Sequence, residues 1–225
     1  MRQIFLDTET TGLYPAQGHR IIEIAALEVI NRRPTRNHFH YYLNPGREID
    51  QAAQEVHGIT LDFLQDKPRF NDIAAEFLDF IADAELIIHN APFDVGFINM
   101  ELGKIEQQPI EKIAAKITDT LKMAKDSRPG QRNNLDALCR HFGINNAKRT
   151  LHGALLDAEL LAEVYMAMTR GQDSLIMDLE DVHIASKDTT LNLRSQPLLI
   201  LQADADELSA HQAYIAAQKG SSLWQ

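Results

Sequence analysis

Three β-favouring runs open the chain: Ile4 to Leu6, Ile21 to Ile30 and His38 to Leu43, separated by segments rich in turn residues. The first has no polar alternation on either face, the pattern of a strand buried on both sides. It is therefore expected at the centre of a sheet, with the other two as neighbour and edge. Pro68 and Asn71 precede Ile73, Ala74, Phe77, Leu78 and Ile81, apolar positions at helical spacing, after which Leu86 to Ile88 makes another short buried strand. The alternation continues with a helix from about Pro92 into Gly103, a strand near Ile117 and Thr118, and a helix from Leu135 that ends near Gly143. A last long helix carries Ala154, Leu155, Ala158, Leu161, Ala162 and Tyr165 as its apolar stripe. Strands interleaved with helices predict an α/β fold, a mixed central sheet covered on both faces.

The character of the chain changes after Gly171, which ends that helix. Residues 1–171 read as one domain and residues 172–225 as a C-terminal extension. In the extension Lys187, Arg194 and Lys219 face eight acidic residues, a net charge of −5 and half of the −10 carried by the whole chain. Asp204 with Glu207 three residues later has the form of a capping box, opening a short helix that stops at Gly220. Trp224, the only tryptophan, reads as a docking anchor, with packing back onto the parent domain as the alternative.

The composition, 44% hydrophobic and 24% charged over 225 residues, is that of a globular protein and excludes collagenous, disulfide-stapled and wholly disordered classes. No apolar run approaches the roughly 18 residues of a membrane span, and Met1 to Leu6 reads as a strand with no signal-peptide pattern, so a cytoplasmic location without membrane contact is expected. Cys139 stands alone, so any metal must rest on carboxylates and histidines, which points to hard ions. The acidic balance argues against nucleic-acid binding by net charge, though not against nucleic acid as a substrate, since ions at clustered carboxylates can supply positive charge locally. One basic stretch, residues 122–149, holds Lys122, Lys125, Arg128, Arg132, Arg140, Lys148 and Arg149; it reads equally as a solvated helical face.

Candidate chemistry begins where the first strand ends, at Asp7-Thr8-Glu9-Thr10-Thr11-Gly12. Side chains at i and i+2 of a strand share a face, so Asp7 and Glu9 project from one spot. Burying two carboxylates together is costly unless a cation is shared, and oxygen ligands select Mg²⁺ or Mn²⁺. An acidic turn with threonine caps would also account for this segment alone. Asp94, at a helix start after the strand ending at Ile88, comes near Asp7 and Glu9 if the two strands are neighbours; the helix macrodipole would equally favour an acid there. His152 and Asp157, five residues apart at the opening of the last long helix, complete the set if that helix crosses the same sheet edge.

Asp7-x-Glu9, His89-Asn90-x-x-Phe93-Asp94 and His152-x-x-x-x-Asp157 together resemble the three motifs of the DEDDh 3′–5′ exonucleases in order, gaps and neighbouring residues. The likeness extends through Ile21 to Val29, Val56-His57-Gly58-Ile59, Asn134 to Leu138 and Lys148 to Asp157. Over nearly the whole chain it is similar to the epsilon family of bacterial replicative proofreading subunits.

The resemblance implies a ribonuclease-H-like fold and phosphodiester hydrolysis with two divalent ions, Mg²⁺ or Mn²⁺. Asp7, Glu9 and Asp157 would hold the first ion, Asp7 would also reach the second, and Asp94 would orient the shell of that second ion. His152 would be the general base on the attacking water. Thr8, Gly12, Leu13, His57, Asn90 and Phe93 would shape the pocket for the terminal nucleotide, Gly12 by allowing close backbone approach and Leu13 and Phe93 by stacking or wedging. Ala52 departs from the acidic residue that relatives often carry, while Asp119 and Asp136 read as structural. Single-stranded or frayed 3′ ends of DNA would be the substrate. The polymerase alpha subunit would bind the segment around Trp224, a sliding clamp would take Gln172 and Leu175, and a small theta-like subunit would be a further partner. An RNA-trimming relative of the same fold, and a chain acting chiefly as a bridge between polymerase and clamp, are the alternative functions.

Overall fold

The computed structural model describes residues 1–147, 149, 151–171 and 204–217. Strand β1 (Arg2–Thr10) lies in the middle of a five-stranded mixed sheet ordered β3-β2-β1-β4-β5. Its partners are β2 (Ile21–Ile30), antiparallel, and β4 (Glu85–Ile88), parallel. β3 (Arg33–Tyr42) and β5 (Lys116–Asp119) form the edges. Central placement explains the unalternated apolar run: Ile4, Phe5 and Leu6 are all fully buried, the first and third against one layer of helices and Phe5 against the other.

On one face α3 (Phe70–Ile81) and α4 (Ala91–Lys104) bring Phe77, Phe97 and Leu102 against Ile4, Leu6, Ile24 and Leu86. The opposite face is covered by α6 (Leu135–Phe142) and α7 (Ala154–Met168), whose Leu138, Leu160 and Leu161 meet Phe5, Val29 and Ile87. Phe77 joins two rings of an aromatic cluster, its ring centroid 5.5 Å from that of Phe39 and 6.3 Å from that of Phe70. The α4 layer is tied to the loop after β1 by a bidentate pair, Arg20 Nε and Nη2 donating to Glu101 at 2.5 and 2.7 Å.

The structure departs from the sequence pattern in four places, the start of one strand and three short helices. β3 starts at Arg33 instead of His38, because β2 turns into it through Asn31 and Arg32, both at positive φ (50° and 62°), the geometry of a two-residue hairpin turn. Apart from Pro34, residues 33–37 are polar, and they are mostly exposed on an edge, so hydrophobicity could not report them. Helices α1 (Gln51–His57), α2 (Leu61–Leu64) and α5 (Thr120–Ser127) were not anticipated; each is short and buries few side chains. In the C-terminal extension, α8 (Ala205–Ala217) begins with the predicted capping box: Glu207 N–H donates to Asp204 Oδ1 at 2.9 Å and Asp204 N–H to Glu207 Oε2 at 3.2 Å. Gln172, Leu175, Gly220, Trp224 and the boundary between residues 171 and 172 lie outside the described residues.

Truncating Phe77 to Ala leaves a void that the neighbouring rings of Phe39 and Phe70 cannot refill, and the expected loss is about 3–5 kcal/mol. Urea unfolding of the variant against the parent checks this.

Candidate active site

Strand alternation decides which acids meet. Asp7 and Glu9 continue the face of β1 that carries Phe5 and project toward α7, whereas Thr8 continues the face of Ile4 and Leu6 toward α4. Asp157, in the first turn of α7, comes over the strand end from the first side. Asp94, in the first turn of α4, comes from the other, where Thr8 Oγ1 donates to its Oδ1 at 2.7 Å. With His152 just before α7, these residues line one cavity of about 470 Å³.

Local chemistry explains how each element delivers its group. Asn90 adopts the left-handed conformation (φ 68°) that turns β4 into α4, and Pro92 follows in the first turn, where its missing N–H costs nothing. The Asn90 N–H donates to Asp119 Oδ1 at 3.1 Å, and the same oxygen caps α5 by accepting from Leu121 N–H at 2.9 Å. Asp119 is thus a structural strand-end acid. The His152 N–H donates to the Val56 carbonyl at 3.1 Å, which pins the segment entering α7 to α1.

Leu13, Asn90, Phe93 and Thr8 also line the cavity, Leu13 with 65% of its surface exposed. Gly12 and His57 do not. A Cβ on Gly12 would fall 2.4 Å from His19 Cε1 and 2.8 Å from Asp50 Oδ2, so the close approach expected there is made by this chain's own loops. His57 is buried, accepts from the Ile59 N–H through Nδ1 at 3.0 Å, and leaves Nε2 without a hydrogen-bond partner. Burial lowers its pKa, opposed by Glu23 and the nearby Thr10 carbonyl, to which it makes no hydrogen bond of good geometry.

Crowding sets the electrostatics. Burial pushes the Asp7 carboxyl well above its usual range, and Asp94, Glu9 and Asp157 push it further, even though Asp7 keeps some solvent contact through the cavity. Glu9 is pushed up to about 8 by burial, then by Asp157, Glu23 and Asp94. Asp94 is raised to about 7 by burial, with the Thr8 hydroxyl opposing the shift. The His152 imidazole is held below its ordinary value by burial and by Arg149, against Asp157 and Asp136.

Arg149 is the site residue that sequence reasoning missed. Its Nε and Nη2 donate to the two oxygens of Asp157 at 2.5 and 2.6 Å, and Nη1 lies 2.9 Å from Asp136 Oδ1. Burial disfavours its charge, but Asp157 and Asp136 outweigh that effect and keep it protonated. Asp136, read from sequence as a structural helix-start acid, does open α6, and it lines the cavity as well. His89, Asn134 and Leu135 complete the lining; no residue pattern singled out the last two as site residues, and Arg149 was visible only as one member of a basic stretch.

The donor set fits hard divalent ions. Five carboxylates and two imidazoles line the cavity, and Glu9, His152 and Asp157 offer ligand atoms within 4.8 Å of one another. Fold and site define a metal-dependent 3′–5′ exonuclease of the ribonuclease-H-like type, and the exonuclease family model matches residues 4–165. Among solved structures the chain is similar to exonuclease X in complex with 5′-overhanging duplex DNA, with a TM-score of 0.59 and 25% identity over 76% of this chain and 93% of that one. The nuclease domain of 3′hExo, a DEDDh family member bound to rAMP, shares the fold with a TM-score of 0.66 at 18% identity, over 76% of this chain and 92% of that one. The DNA polymerase III subunit epsilon of Pasteurella multocida is 50% identical over 100% of this chain and 93% of its own length; that of Escherichia coli is 47% identical over 99% and 97%. The chain belongs to the DNA polymerase III epsilon subunit family, the proofreading 3′–5′ exonucleases of bacterial replication.

Glu9 and Asp94 bind protons more tightly in the folded protein than in the unfolded chain, since about 8 and about 7 lie above 4.5 and 3.8. The folded state therefore holds the extra protons between these limits, and stability of the metal-free protein falls as pH rises from about 5 to about 8. A divalent ion held by these carboxylates would remove the penalty, so it is expected to raise Tm more at the alkaline end than at the acidic end. Thermal melts in EDTA and in Mn²⁺ across that range check both signs; a metal-free Tm that rises with pH would contradict the assignment.

Proposed function

We propose that Asp7, Glu9 and Asp157 hold one divalent ion, that Asp7 also reaches a second whose shell Asp94 orients, and that His152 is the general base. The observation that carries this reading is the convergence of all five side chains on one cavity at the end of β1, from both faces of the sheet. Either Mg²⁺ or Mn²⁺ suits the oxygen donors. When bound, the ions supply positive charge that favours a hydroxide nucleophile and a leaving 3′ oxygen.

The chain's own residues do the rest. The lowered pKa of His152 keeps the imidazole neutral near pH 7, so it can take a proton from the attacking water. Thr8 fixes the rotamer of Asp94 through its 2.7 Å hydrogen bond. Leu13 and Phe93 would flank the 3′-terminal base, and Asn90 and Thr8 would face its sugar and phosphate; Gly12 and His57, outside the cavity lining, would act on the pocket only through the loops they hold. Hydrolysis releases a nucleoside 5′-monophosphate and needs no covalent intermediate. Selection of mispaired termini follows from fraying, because an unpaired end reaches the cavity at lower cost than a paired one.

The family also supports partners for this chain. The polymerase alpha subunit would take the segment around Trp224, a sliding clamp would take Gln172 and Leu175, and a theta-like subunit would be a further companion. Work on replicating DNA would place the chain in the bacterial cytoplasm; among the described residues no helix is long and apolar enough to cross a membrane.

The test is degradation of 5′-labelled single-stranded DNA and a matched RNA in Mg²⁺. Stepwise shortening of DNA from the 3′ end is expected, lost in Asp7→Ala with the fold retained by circular dichroism and slowed by about 10² or more in His152→Ala. An active Asp7→Ala enzyme would remove the metal assignment, and preferential shortening of RNA would move the reading to an RNA-trimming enzyme. Trp224→Ala is expected to weaken capture of the polymerase subunit in a pull-down while leaving nuclease activity in place; unchanged capture would remove Trp224 from the anchor role.

A further inference from the structure

Among the described residues that line the cavity, Arg149 alone carries a permanent positive charge. Its side chain is only 6% exposed and its nitrogens are committed. A fork of Nε and Nη2 covers both oxygens of Asp157, and Nη2 also lies 3.0 Å from His152 Nδ1. A guanidinium can only donate, so His152 Nδ1 accepts and its lone pair is engaged. The fork occupies both oxygens of Asp157, the atoms that the proposed ion would need. One side chain thereby offsets part of the charge of the carboxylate cluster and occupies both a proposed ligand and the proposed base.

We propose that Arg149 is an internal counter-cation that latches the unloaded site: it holds Asp157 and His152 while no divalent ion is bound, and it gives up Asp157 when the ion is taken. The proposal rests on the reading of Asp7, Glu9 and Asp157 as ion ligands. Two cations cannot share Asp157 cheaply in a partly buried site, because their repulsion is weakly screened there. Asp136 gives the displaced guanidinium somewhere to remain: it already accepts from Nη1 at 2.9 Å, and 37% of its side chain is exposed. The latch explains how acids that repel one another can be folded before any ion arrives. It also makes Arg149 a positioning residue that acts through Asp157 and His152.

The experiment is Mn²⁺ binding by calorimetry to the full chain, with metal-free Tm measured in parallel, for the parent, Arg149→Met and Arg149→Lys. The latch predicts that Arg149→Met melts lower without metal yet binds Mn²⁺ about tenfold tighter or more, since a competing charge has gone. Arg149→Lys keeps the charge but lacks the fork and should fall between the two, which keeps the test open if the Met variant fails to fold. The Mn²⁺ concentration giving half-maximal activity should drop in the same order. Variants that bind Mn²⁺ no tighter than the parent would overturn the latch while leaving the metal reading intact. A parent chain that binds no Mn²⁺ would overturn both.

Discussion

Mutual repulsion of carboxylates around the end of one strand is the constraint on which this structure turns. Asp7 and Glu9 share a face of β1, Asp157 approaches that face, and Asp94 reaches the cavity from behind. At separations of a few ångströms in a partly buried site such charges oppose one another strongly. They stay together because their supports are stiff. β1 is hydrogen-bonded on both sides, by β2 and by β4, and α4 and α7 are seated on separate hydrophobic layers. Where the scaffold allows relief it comes from specific partners, the Thr8 hydroxyl on Asp94 and the Arg149 fork on Asp157.

That arrangement reconciles an acidic protein with a polyanionic substrate. A net charge of −10 offers no general attraction to nucleic acid. On the proposed reading, the positive charge needed at the scissile phosphate would be brought by ions concentrated at the carboxylate cluster, which would confine affinity to the place where chemistry occurs. An enzyme of this kind gains little from holding duplex DNA at large. What it gains is a terminus delivered to the cavity, which a tether can supply through effective concentration instead of contact energy.

Much of the fold was legible in the chain. The central strand announced itself by burial on both faces, and α3, α4, α6 and α7 by their apolar stripes or flanking signals. The start of β3 was not legible, because residues 33–37 are an exposed edge held by a turn and by register with β2. Helix α5 was missed although Asp119 is a good N-cap, since its eight residues bury only Thr120 and Ala124. The site shows the same division. Asp7, Glu9, Asp94, His152 and Asp157 could be named as candidates because their motifs resemble those of the DEDDh exonucleases, and the topology brings all five to one cavity. Arg149 could not be singled out: a basic residue declares its partners only when Asp157, on the helix that follows, and Asp136, on the helix before, fold against it.

A single oxygen outside the cavity shows how far the site extends. Asp119 Oδ1 accepts from Asn90 at the start of α4 and from Leu121 at the start of α5, and so joins β4 and β5 where both run out. Asn90 sits in a backbone conformation that disfavours most side chains, and this bond helps to hold it there. The angle at which α4 leaves the sheet, and hence the place of Asp94 four residues on, is inherited from it. A lesion at position 119 would therefore present itself to a geneticist as a mutator, errors accumulating in copied DNA, though the altered residue is absent from the cavity lining.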